Sequence, residues 1–155
     1  LKEHASALEE GKADILGLYM VQKLREMGEI TEGELMDNYV TFLAGIFRSV
    51  RFGASSAHGR ANMIRFNYFS NMGAFSRDPI NGHYRVNVNE FEQALKSLGN
   101  DILVLQGDGD YDKVAAFVAE LGGVGTHLQA DLNRLDAVAI PVDIVYQQGK
   151  EVLDL

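Results

Sequence analysis

A chain of 155 residues with a formal charge of −8 is long enough to bury most of its apolar surface in one domain, and its acidic balance argues against binding duplex nucleic acid, whose partners carry a basic stripe. Apolar residues at 46 % and charged residues at 23 % are ordinary for a globular protein, which argues against disorder away from the ends. The absence of cysteine excludes disulfides and thiolate metal ligands and fits a cytoplasmic protein. No apolar run approaches the ~18–20 residues of a membrane span, so no membrane partner is expected. The first residues carry no signal-peptide pattern. Arg48, Arg51, Arg60 and Arg65 leave room for a local positive patch. The chain opens with Leu1 and enters a helical pattern almost at once, which points to a piece of a longer polypeptide, folded as a single domain over residues 1–155.

The elements follow in chain order. Apolar steps of three and four through Leu8, Ile15, Leu18, Tyr19 and Leu24 predict a helix over residues 6–27, and Gly28 stops it. Gly11, Ala13 and Gly17 are small residues inside it. A helical glycine costs about 1 kcal/mol relative to alanine, which a close neighbour or a site can compensate. Thr31 and Glu34 have capping-box spacing and open a second helix to about Val50, apolar along Leu35, Tyr39, Phe42, Leu43, Ile46 and Phe47. Ser55 or Ser56 caps a third helix over 57–71, ended by Gly73. A turn-rich loop, Asp78-Pro79-Ile80-Asn81-Gly82, separates two short extended runs and predicts a small β-hairpin. Asn87 or Asn89 begins a helix that reaches about Gln106, residues 114–121 form the next, and 126–135 one more. From Ala139 the tail reads as extended, then weakly helical. The expectation is a mainly α domain of about six helices with one small hairpin.

Few residues invite chemistry. Glu10 and Asp14 lie four apart, on one helix face, where like charges repel by a few tenths of a kcal/mol, and only Lys12 stands between them. Such local conflict is tolerated most readily at functional sites, where a bound cation would turn repulsion into coordination. A solvated acidic helix face is the plainer reading of the same residues and, on the stretch alone, the favoured one. Asp108, Asp110 and Asp112 alternate like a calcium loop, but Lys113 stands where that loop needs glycine and Ala119 where it needs glutamate. An acidic loop capping the next helix fits better. Of the four histidines, His4, His83 and His127 have no telling company, whereas His58 sits at a helix N-terminus suited to anionic groups. Gly122 to Gly125 follow a helix rather than a strand, which argues against a phosphate cradle. No His-Glu-x-x-His pair occurs, so a zinc site built from these residues alone is short of ligands.

The run Leu8-Glu9-Glu10-Gly11-Lys12-Ala13-Asp14 resembles the Glu-Glu-x-x-Ala-Asp/Glu motif of the dipeptidyl peptidase III-like zinc metallopeptidases. The likeness extends over residues 6–19, 39–53, Ala57-His58-Gly59, 65–68, 102–110 and 140–143, and so over nearly the whole chain. It is closest to the plant and bacterial branch, some of whose members carry a Nudix hydrolase domain ahead of the peptidase-like part.

The resemblance implies a zinc exopeptidase acting on peptides, with Glu10 as a zinc ligand and Glu9 and Asp14 as carboxylates behind it that orient the ligand histidines. It implies that His58 contacts the substrate carbonyl or its developing oxyanion, and that Arg60 or Arg65 contacts substrate. The family's histidine motif is absent from these residues, so the chain holds one zinc ligand of three, depends on the missing N-terminal part of the same protein, and by itself folds without hydrolysing peptides. Two other readings stand beside this one: a non-catalytic helical scaffold module, and an auxiliary domain of a Nudix hydrolase.

Overall fold

The computed structural model describes residues 1–51, 53–138 and 149–153. Residues 1–125 and 126–155 form two compact units. The tail reading from Ala139, with the landmark at 140–143, lies outside the described residues, as does Phe52.

In the first unit a single 3₁₀ turn, Lys2–His4, leads into α1, Ala5–Glu26. Leu8, Ile15 and Leu18 fall on its buried face, and Gly28 takes φ +78° beyond its end. The next helix, α2 (Leu35–Val50), begins later than its sequence signal. Thr31 is not the cap. Glu34 is the extended residue before the helix, and its backbone N–H donates to Asp37 Oδ2 at 2.8 Å, so the reciprocal pair sits three residues downstream of the Thr31–Glu34 pair. The left-handed Gly33 (φ +65°) turns the chain immediately before it, which prevents a helix from starting at Thr31.

Helix α3, Ala57–Asn71, is capped by Ser56, whose hydroxyl accepts the Gly59 N–H at 3.0 Å. It is the centre of the unit and packs against α1, α2, α4 and α5. Strands β1 (Phe75–Arg77) and β2 (Tyr84–Val86) pair antiparallel in the register Phe75–Val86, Ser76–Arg85 and Arg77–Tyr84. Asp78 closes the turn by accepting the Ile80 N–H at 2.8 Å. Helix α4, Val88–Asp108, runs two residues past its expected end, because the left-handed Gly109 rather than Gly107 terminates it. Helix α5, Tyr111–Leu121, starts at the Asp110 cap, whose carboxylate accepts the Lys113 N–H at 3.1 Å. The acidic loop is therefore a helix cap, and the cap brings three residues before Val114 into the helix.

Tyr39 of α2 stacks on Phe91 of α4 at 4.3 Å, and Phe91 meets Phe69 of α3 edge-on at 4.7 Å. These three rings are fully buried and lock the central layer. Gly11 explains how α1 comes so close: a Cβ there would already touch Ile102 Cδ1 at 3.5 Å and Ala61 Cβ at 3.9 Å.

The second unit contains α6, Thr126–Ala137, where Arg134 pairs with Asp131 at 3.2 Å, and a helical turn at Lys150–Leu153. The described residues are mainly α, with six helices of eleven residues or more and one two-stranded sheet, as the pattern predicts. Among them no helix is long and apolar enough to cross a membrane.

Candidate functional site

The contact between α1 and α3 brings together residues 48 and 51 positions apart in sequence. Glu10 Oε2 lies 3.5 Å from His58 Nε2, and one turn along α1 the Asp14 carboxylate accepts a hydrogen bond from Arg65 Nη1. On α3 the partners His58 and Arg65 are seven residues apart, two helical turns, and so share a face. Like charges at Glu10 and Asp14 are thus each met by a basic group of the neighbouring helix.

The two pairs differ in burial. His58 and Glu10 keep 70 % and 42 % of their side-chain surface, so both stay open to a ligand. Arg65 keeps 3 %, and Asp14 55 %. Burial pushes the Arg65 guanidinium below its ordinary range, while the charges of Asp14 and Glu10 hold it up. Its Nη2 donates to Asn62 Oδ1 at 2.6 Å, and the guanidinium lies 5.4 Å from the Phe42 ring centre. Its Nε is buried and finds no hydrogen-bond partner among the described residues.

Glu9 faces elsewhere. Its carboxylate takes Lys12 Nζ at 2.8 Å and Gln106 Nε2 of α4 at 2.7 Å, and these two donors, Lys12 foremost, hold its pKa below the ordinary carboxylate value. Lys12, the only cation between the carboxylates in sequence, therefore serves Glu9 rather than Glu10 or Asp14. Arg60 lies two residues beyond His58, about 200° around α3, with its stem beside Gly122. Of the two candidate arginines, Arg65 shares the Glu10–Asp14 contact and Arg60 does not. The burial of Arg65 also removes it from the surface patch that the arginine cluster had left open.

The N-terminal turn of α3 is held from below. A Cβ on Gly59 would lie 2.6 Å from the Gly53 carbonyl oxygen and 2.8 Å from Ala54 Cα, so only glycine lets the preceding loop lie against this turn. Asn62, which carries no sequence signal of its own, is buried at the middle of the arrangement and bonds Ser49, His58 and Arg65. Its position four residues after His58 and three before Arg65 is the only trace that could have found it.

Glu10 is chemically suited to a metal: it is an accessible carboxylate with an imidazole at 3.5 Å. The described residues do not complete a metal site, for among them no group of three or more His, Asp or Glu side chains converges.

This fold is one found in peptidases. The chain matches the DPP III of Caldithrix abyssi with a TM-score of 0.85 and 36 % identity, covering 92 % of this chain and 27 % of that one. It matches the dipeptidyl-peptidase III of Corallococcus sp. strain EGB with a TM-score of 0.83 and 35 % identity, covering 92 % of this chain and 26 % of that one. Nudix hydrolase 3 of Arabidopsis thaliana is 38 % identical over 144 residues, which are 93 % of this chain and 18 % of the relative. No family model matches. By fold and sequence the chain is dipeptidyl peptidase III-like, and it spans about a fifth to a quarter of the length of these proteins.

Proposed function

We propose that these residues form one wall of the active site of a zinc-dependent exopeptidase that acts on peptides. Glu10 is the zinc ligand this chain contributes. Asp14, and Glu9 on the adjoining face, are the carboxylates that orient the ligand histidines and raise their basicity. Those histidines come from a part of the protein outside these 155 residues, in which no paired-histidine motif occurs. Zinc, when bound, polarises the scissile carbonyl and lowers the pKa of its water.

The observation that carries this reading is the juxtaposition of Glu10 and His58 at 3.5 Å, on a fold matching dipeptidyl peptidase III at 36 % identity. An exposed imidazole beside the ligand carboxylate, at a capped helix N-terminus, is placed to donate to a substrate carbonyl as negative charge develops on its oxygen. Arg65 supports the carboxylate face through Asp14. Arg60, on the far side of α3, reaches substrate only if the peptide wraps around that helix. We take the cytoplasm as the site of action.

A fluorogenic dipeptide substrate tests the proposal. The longer protein hydrolyses it and a chelator stops the reaction, whereas the 155-residue chain folds and gives no turnover. Chelator-sensitive turnover by the 155 residues alone contradicts the division of ligands, and absence of turnover in the longer protein contradicts the peptidase reading.

The name of the Arabidopsis relative favours one second reading, an auxiliary domain of a Nudix hydrolase. Under it, the longer protein cleaves nucleoside diphosphate derivatives, and substitution of Glu10 leaves that activity intact.

A further inference from the structure

Asn62 stands where the two pairs of the candidate site meet, and it touches neither carboxylate. Its side chain is buried in the α3 interface, with the residue 7 % exposed. The amide nitrogen donates to the His58 carbonyl oxygen at 2.9 Å and to Ser49 Oγ of α2 at 2.8 Å, and the amide oxygen accepts from Arg65 Nη2 at 2.6 Å. Chemistry fixes which end is which. A guanidinium only donates and a backbone carbonyl only accepts, so the oxygen must face Arg65 and the nitrogen His58.

We propose that Asn62 is a positioning residue: it holds the first turn of α3, and with it the His58 side chain, at its distance from Glu10, and it orients the Arg65 guanidinium under Asp14. The catalytic consequence rests on the zinc-exopeptidase reading; the geometric one does not. A side chain four residues on that bonds the His58 carbonyl adds a second donor to an acceptor of the helix's first turn. Ser49 and Arg65 anchor the same amide, so the first turn cannot move away without breaking its bond to a fixed donor. No other residue serves both ends. Aspartate keeps the acceptor for Arg65 and presents a carboxylate to a carbonyl in place of a donor. Leucine keeps the branching at Cγ, is somewhat larger, and leaves Arg65 without its Asn62 acceptor.

The test uses the full-length protein that carries this chain, with Asn62→Asp and Asn62→Leu. Asn62→Asp is the decisive variant, because the retained Arg65 acceptor lets it fold even if Asn62→Leu does not. Crystal structures report the position of His58, and dipeptide hydrolysis reports kcat and KM against Tm. In Asn62→Asp, His58 Nε2 is expected measurably farther from Glu10 Oε2 than the 3.5 Å of the native chain, with kcat down by about tenfold and KM within about twofold, as for loss of a residue that orients a site. An unchanged His58–Glu10 separation overturns the proposal, whatever the activity. So does a fall in Tm with kcat unchanged, the mark of a packing role. A wild-type protein that hydrolyses no peptide defeats the peptidase reading alone, and the crystallographic comparison still decides the role of Asn62.

Discussion

Arg65 of α3, 97 % of whose side chain is out of water, donates to Asp14 of α1, which is half-exposed. A buried cation is tolerated only when paired and hydrogen-bonded, and removal of its partner leaves the charge uncompensated. Asp14 therefore serves the fold before any site. Asp14→Ala is expected to destabilise the chain by about 2 kcal/mol, below the range for fully buried pairs because water reaches Asp14. The double variant Asp14→Ala/Arg65→Met should recover part of that loss. Urea denaturation of the four proteins measures the coupling, and additive losses would show that the pair does not interact.

The cap of α3 lies two residues from His58. Ser56→Ala removes the acceptor of the Gly59 N–H and should cost about 1 kcal/mol. Because the first turn of α3 carries the imidazole, this variant should also loosen His58 relative to Glu10. Amide exchange at Gly59 reads the cap directly: faster exchange is expected, and protection equal to wild type contradicts the assigned bond.

Gly59→Ala acts on the same turn by crowding. The new Cβ meets backbone at 2.6 and 2.8 Å, so the loop at Gly53 and Ala54 has to move. Forcing extra volume against well-packed atoms typically costs ~1–3 kcal/mol, and a Tm lowered by several degrees is expected. An unchanged Tm would mean that the loop does not lie against α3.

Tyr39 gives a prediction at alkaline pH. Burial, aided by the charges of Glu92 and Glu26, pushes its phenol up from 10.0 to about 12. Below pH 10 the phenol is protonated in both the folded and the unfolded chain, and stability is unaffected. Between pH 10 and about 12 the unfolded chain ionises and the folded chain does not, so stability falls as pH rises through this window. Tyr39→Phe should flatten that slope in denaturation curves taken from pH 9 to 12. An unchanged slope contradicts the assignment.

Much of the fold is legible because its signals are local. Ser56, Gly73 and Asp110 act within a turn of their own position, and the hairpin turn at Asp78 is written in five consecutive residues. The start of α2 is misplaced because two overlapping cap signals, Thr31–Glu34 and Glu34–Asp37, compete, and the conformation of Gly33 decides between them. Half of the candidate site is also local: four-residue spacing puts Glu10 and Asp14 on one face. Helical spacing also assigns Lys12 to Glu9, three residues before it, rather than to Glu10 or Asp14, each two residues away. What answers Glu10 and Asp14 is not local. Nothing in the sequence assigns His58 to Glu10 or Arg65 to Asp14, because those pairings depend on how α1 lies on α3. Asn62 is harder to read from sequence, since two of its partners lie within α3 and the third, Ser49, reaches it only through the packing of α2 on α3.

The central claim is that Glu10 binds zinc. It is tested most directly by metal content in the full-length protein, wild type against Glu10→Ala, after dialysis at fixed free zinc. The account predicts about one zinc per chain in the wild type and a large loss in the variant, because a catalytic zinc needs about three protein ligands. Equal zinc in the two proteins, with the variant folded, would contradict it.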